Sequence, residues 1–422
     1  MKINFRKKSL LASAISCFLA HAAISQTWQL TGLGTNDWLC IASSANGKTL
    51  IAGQWVGLLG VSTDGGVTWT TNVMTNGYWN SVASSADGTK LLAASANVDS
   101  THVCGVFLST NSGASWVSND LPAYYWGCVA MSADGTTMAA IAPMISGSDL
   151  SSVCAVFCST NSGLNWVSND IDFVSAPYSP PSAFNLAMSA DGRKIFVVTA
   201  LDVCYSTNAG TSWMVMSNAP SMYGATYPNQ VIASSADGNK LILCDATYPG
   251  NGVYISTNSG NTWNLTSVQT NLFFAASSAD GKTLMASPVV LDAGLLPLYI
   301  STNSGASWTA DTNENWTGAA CSADGGTLFA IAESDANLRS GAIYKYKSMQ
   351  SPLLSVAPSA GNLQLSWLVP STDFVLELSA DLENWSAMTN APALDPANLE
   401  DQILISPTNG AGFYRLATVP AN

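Results

Sequence analysis

The octet Ser256-Thr257-Asn258-Ser259-Gly260-Asn261-Thr262-Trp263 returns five more times along this chain. Ser62–Trp69, Ser109–Trp116, Ser159–Trp166, Ser206–Trp213 and Ser301–Trp308 keep the order Ser-Thr-Asn/Asp-x-Gly-x-x-Trp. The third position holds Asp64, Asn111, Asn161, Asn208, Asn258 or Asn303. An Asx side chain bonds the backbone two residues on, and glycine takes positive φ without a steric cost. Each octet therefore reads as a tight turn between two strands, closed by its Trp.

A second motif alternates with the first. Ser-Ala-Asx-Gly starts at Ser44, Ser85, Ser132, Ser189, Ser235, Ser278 and Ser322. An alanine precedes each serine by two residues, and Leu, Met or Ile follows it by six. The unit is strand, Asx-Gly turn, strand, variable connection, strand, octet turn, strand. Its serines recur every 41 to 57 residues, the period of a four-stranded propeller blade. Seven Asx-Gly turns imply an all-β, seven-bladed β-propeller. Octets number only six, and the last repeat leaves the pattern after Tyr346. Thr27-Trp28 resembles Thr68-Trp69, so the N-terminal strand is expected to complete the seventh blade and remove an open edge. The repeated alanines suit an innermost strand. The terminal Trp residues read as core between blades, and losing one that is fully buried costs roughly 3–5 kcal/mol.

Composition shifts beyond the repeats. The propeller is assigned to 26–348, and 349–422 reads as a small β-sandwich built on Leu363–Trp367, Phe374–Leu378 and Gly412–Leu416. Residues 1–25 read as a signal peptide: Lys2, Arg6, Lys7 and Lys8, then apolar Leu10–Ala23, with cleavage before Gln26. The expected location is secreted, periplasmic or at the cell surface. No later stretch is apolar enough to span a bilayer. With the four basic leader residues gone, net charge falls from −13 to −17, which leaves no basic patch for nucleic acid. Eight cysteines remain without C-x-x-C spacing, so no metal site and no disulfide pairing can be read from them. No cofactor is expected, and a monomer is the expected state.

The Ser-x-Asx-x-Gly-x-x-Trp octet resembles the Asp-box, or BNR repeat, of the sialidase superfamily. It is similar also to turns in sortilin-like propellers, the photosystem II assembly factor family and xyloglucan-hydrolysing propellers. The resemblance covers residues 26–347 and implies a structural hairpin away from the active face. Asparagine at five of six boxes keeps turn geometry without charge, in line with that role. The tail resembles C-terminal β-sandwich modules of exported bacterial proteins.

Residue counts test the chemistry. The sialidase superfamily clamps its substrate with three arginines, whereas only Arg193, Arg339 and Arg415 survive cleavage here, one of them in the tail. The arginine patch of the photosystem assembly factors is likewise missing. His102 alone remains for any His-assisted nucleophile, and it reads as a solvated loop residue. Catalytic residues are therefore not assigned. In an up-and-down blade both short turns share one face, so the variable connections share the other, where function concentrates. Those connections carry acidic and aromatic residues, while Lys48, Lys90, Arg193, Lys194, Lys240 and Lys282 lie beside the Asx-Gly turns. Trp38, Trp79, Trp126 and Trp316 recur six residues before their serines and read as packing. The non-repeating Tyr124, Tyr125, Tyr178, Tyr223 and Tyr227, with Asp120 and Asp170, are the ligand-binding candidates. The leading expectation is a non-enzymatic propeller binding a glycan or extracellular protein. The alternatives are a two-carboxylate glycoside hydrolase and a structural cell-surface protein.

Overall fold

The computed structural model describes residues 2–3, 27–71, 77–96, 102–119, 121–122, 125–146, 151–171, 185–199, 202–220, 231–245, 252–270, 272–288, 297–333, 341–347, 353–359, 362–369, 374–406 and 412–418. Among them there is no helix. Seven four-stranded antiparallel sheets follow one another along the repeats. The first contains Trp38–Ser43, Leu50–Gln54, Leu59–Ser62 and Thr70–Thr71; the second contains Trp79–Ser84, Leu91–Ser95, Gly105–Ser109 and Val117–Ser118. The third to sixth begin at Cys128–Met131, Asn185–Met188, Val231–Ser234 and Phe274–Ser277. The seventh joins Asn315–Cys321, Thr327–Glu333 and Gly341–Lys347 to Gln29–Leu30, which lies outermost.

Each sheet is too small to bury its faces alone, so the apolar cores lie between successive sheets. Cys128, Ile141 and Val156 of the third pack on Leu186, Val197 and Cys204 of the fourth. Ile331 and Ile343 of the seventh pack on Trp38 and Ala52 of the first, which closes the circle. A cycle of backbone bonds closes it at the axis as well. Ala45 N–H donates to Ala86 C=O at 2.9 Å, and Ala86, Ala133, Ala190, Ala236 and Ala279 each donate onward at 2.7–2.8 Å. Ala323 returns the bond to Ala45 at 2.8 Å. These are the second residues of the Ser-Ala-Asx-Gly turns; only a side chain as short as a methyl fits seven copies around one axis.

The octet turn works as its composition requires. Ser256 Oγ donates to Asn258 Oδ1 at 3.0 Å and accepts from Gly260 N–H at 2.8 Å. Asn258 Oδ1 accepts from Thr262 N–H at 2.9 Å. The fourth residue is left-handed at every octet: Ser112, Ser162, Ala209, Ser259 and Ser304 have φ of 54–58°, and Gly65 has 72°. That residue is held by the neighbouring short turn, as when Ser259 N–H donates to Asn239 C=O at 2.7 Å. Both short turns therefore share one end of each sheet. The octet Trp residues are half-buried, not fully buried as expected, because each lies over the outer edge of its hairpin. Trp213, for example, donates its indole N–H to Gly210 C=O at 3.1 Å while packing on the core between sheets.

The N-terminal strand pairs Gln29 with Lys345 and Leu30 with Tyr344. Trp28 donates its indole N–H to Asp311 Oδ2 at 2.9 Å and lies 4.8 Å from the Trp316 ring. The tail supplies seven of the eight strands of two further four-stranded sheets. Leu363, Leu365, Trp367 and Ile403 of one share a core with Leu376 and Tyr414 of the other. Backbone pairing places Lys2–Ile3 beside Gly412–Phe413 at an edge of the second. Ser379–Trp385 repeats the hairpin device, with Arg415 4.1 Å over the Trp385 ring.

Candidate functional site

The connections opposite the short turns form the loop face. Its described part is organised by two glycines. Gly57 and Gly77 exchange backbone bonds at 2.9 and 3.1 Å, and Gly77 also bridges Val103. A Cβ on Gly57, whose φ is +133°, would meet Gln54 Oε1 at 2.4 Å. That carboxamide oxygen caps Leu58 N–H at 2.9 Å, so the turn is fixed from beneath. Trp55 N–H is held by Asp37 C=O at 2.8 Å, yet the residue is 51% exposed. Tyr78, next to Gly77, donates its N–H to Ser95 Oγ at 3.0 Å, and its ring lies 4.5 Å from that of His102. Three connections thus bring Trp55, Val56, Tyr78 and His102 onto neighbouring backbone. An aromatic residue fixed at its backbone and bare at its ring offers contact area at a low entropy cost.

At the centre of the face the innermost strands enclose a cavity of about 310 Å³. Asn80 donates to Trp126 C=O at 2.8 Å and Asn185 accepts from Ile232 N–H at 3.1 Å, so both amides tie adjacent sheets together. Cys40 and Cys128 line this cavity. Burial pushes the Cys40 thiol up to about 12 and raises Cys128 too, so neither supplies a thiolate nucleophile near neutral pH. Towards the short turns a second cavity of about 170 Å³ runs through the alanine cycle and ends on Leu399 of the tail. Cys40, Cys128, Cys158, Cys204, Cys244 and Cys321 are free thiols.

The candidates read from sequence fare unevenly. Tyr125 is exposed, next to the buried Trp126. Asp170 is not in a connection: its backbone sits in the strand Val167–Ile171, paired with Ala155, because that hairpin runs longer than its neighbours. Tyr124, Tyr178, Tyr223, Tyr227 and Asp120 lie outside the described residues. Trp38, Trp79, Trp126 and Trp316 are fully buried packing residues. Trp55 was not singled out by the sequence reading. Its signal is that it falls on neither repeating Trp register, unlike every other tryptophan of the repeats.

The lysines beside the Asx-Gly turns do not form a free basic face. Lys90 Nζ donates to Asp134 C=O, Gly135 C=O and Ser162 Oγ of the next sheet at 3.0–3.1 Å. Lys194 reaches Asp237 C=O at 2.9 Å, and Lys240 reaches Asp280 C=O at 2.7 Å. Each clamps its sheet to the next. The turn carboxylates are similarly engaged. Burial opposes ionisation of Asp87, but bonds from Ser85 and Thr89 outweigh it and hold the carboxyl below its ordinary range.

No family model and no curated protein matches this chain. Solved structures do. One described as YCF48 bound to D1 peptide is 15% identical with a TM-score of 0.51, covering 78% of this chain and 99% of that one. YCF48 from Cyanidioschyzon merolae is 14% identical with a TM-score of 0.51, covering 76% and 98%. An ancestral GH74 enzyme is 15% identical with a TM-score of 0.53; the match covers 82% of this chain and 54% of the enzyme. At these identities the likeness shows the fold alone: a β-propeller.

Proposed function

We propose that this chain is an exported, non-enzymatic, seven-bladed propeller of the Asp-box type, with a β-sandwich tail, that binds an extracellular peptide segment on its loop face. The observation that carries the reading is Trp55, exposed on a backbone fixed by Asp37 and the Gly57–Gly77 pair, beside the tilted ring pair of Tyr78 and His102. Repeat tryptophans explain themselves by packing; this one does not. A similar fold described with a bound peptide supports a protein ligand over a glycan. Export rests on the basic and apolar leader at 1–25.

The likeness to a GH74 enzyme keeps polysaccharide hydrolysis as the competing reading. One experiment separates them. The protein and its Trp55→Ala variant are run over peptide and polysaccharide arrays, and the same samples are assayed for released reducing sugar. Peptide retention lost in the variant supports the reading. Sugar release, or retention indifferent to Trp55, overturns it.

A further inference from the structure

Closing a ring with the N-terminal strand has a local cost: the seventh sheet carries no octet hairpin, since its third and fourth strands are opposite ends of the repeat region. A hairpin fills this position in the other six sheets. At the seam its absence leaves a notch on the short-turn face, roofed by Leu353, Ser355, Leu368 and Glu400 of the tail and enclosing about 740 Å³. This cavity is separate from the loop face and from the axial channel.

Its lining has a distinct chemistry. Trp28 and Tyr346 supply the aromatic side, their rings 5.4 Å apart. Asp280 is neutralised by Lys282 at 2.8 Å. Among the described residues no cation pairs with Asp311 or Glu400, while the Lys347 charge acts on Asp324. Among the described residues Asp311 accepts only the neutral Trp28 indole and Asn313 N–H, at 2.9 and 3.0 Å. Asp324 takes Ser322 Oγ and Gly326 N–H on one oxygen, at 2.6 and 2.8 Å, and among the described residues no donor meets its other oxygen. Burial raises its pKa despite those bonds and the charge of Lys347. Nor does any described donor meet the Glu400 carboxylate. The threonines and Asn313 of the lining would serve a sugar too, but Asp311 and Glu400, without a described cation and beside an aromatic pair, answer a cation better.

We propose that the seam cavity is a second binding site, taking the arginine or lysine side chains of a basic peptide between Trp28, Tyr346, Asp311 and Glu400. It stands or falls independently of the loop-face reading.

The test is calorimetric titration of the protein with tetra-arginine, with cellotetraose as the sugar arm. Glu400→Gln removes one charge from the cavity, and Asp191→Asn removes one from a short turn of the fourth sheet. Expected are binding that weakens with salt, a loss of roughly five- to tenfold in affinity for Glu400→Gln, and little change for Asp191→Asn. Hydrogen exchange in the unmodified protein should slow at 309–313 and 324–328 on adding the peptide, and not at 85–95. Equal losses in the two variants would reveal diffuse attraction to an acidic surface and overturn the site. So would absence of binding, or cellotetraose binding that depends on Glu400.

Discussion

Trp28→Ala tests the seam directly. The residue is half-buried against Trp316 and Tyr346, so truncation costs about 2 kcal/mol, near half the value for a fully buried Trp. The 2.9 Å bond to the Asp311 carboxylate adds about 1.5 kcal/mol, since its acceptor is charged. The sum is about 3.5 kcal/mol. Trp263 is the control. It is also half-buried, but its indole N–H meets no partner among the described residues, and its strand is tethered by a covalent hairpin. Trp263→Ala should cost only about 2 kcal/mol. Guanidinium titration gives both values. Hydrogen exchange reports the strand itself through Thr31 N–H, which bonds Ile343 C=O at 2.9 Å. That amide should lose protection in Trp28→Ala and keep it in Trp263→Ala. Equal costs in the two variants, with Thr31 still protected in both, would refute the argument that this indole fastens the ring.

Ala209 holds φ of 56°, where a Cβ is strained, so Ala209→Gly should stabilise by about 0.5 kcal/mol in denaturant titration despite glycine's greater unfolded entropy. Gly135→Ala should destabilise by roughly 2 kcal/mol, because φ is +62° and the new Cβ would lie 2.5 Å from Lys90 Cδ. Lys194→Met, which keeps the stem and loses the clamp on Asp237, should cost about 1 kcal/mol by the same titration. Asp64 is the octet's lone carboxylate, and side-chain and backbone bonds from Thr68 lower its pKa to about 2. A depressed carboxylate stabilises above its unfolded value of 3.8 and loses that contribution as pH falls through about 2. Asp64→Asn should therefore show a shallower stability loss than the parent between those limits, measured as thermal midpoints against pH.

The blades were legible because their turns repeat. A Ser-x-Asx-x-Gly-x-x-Trp hairpin is held by bonds within eight residues, so its sequence carries its geometry. Closure by Gln29–Leu30 was legible for a related reason: Thr27-Trp28 is the end of an octet whose start is missing. What local patterns could not show was where a recurring side chain points in three dimensions. Lys90 reads as a surface charge until the next sheet supplies Asp134 and Gly135 carbonyls as its partners. The turn alanines read as small spacers until seven of them meet. The loop face was least legible, since its connections follow no period. Trp55 earns its place through Asp37, Gln54 and Gly77, none of which belongs to either motif.

The alanine cycle has an electrical consequence. Every one of its bonds runs in the same sense around the axis, so each peptide dipole is tangential and turned by one seventh of a revolution from the last. Seven such vectors sum to nothing in their own plane, whereas the same groups stacked along a helix would reinforce one another. The waist of the channel is lined by the alanines together with Ser43, Ser84, Ser234 and Ser277, and the cycle itself adds no in-plane dipole to draw an ion inward.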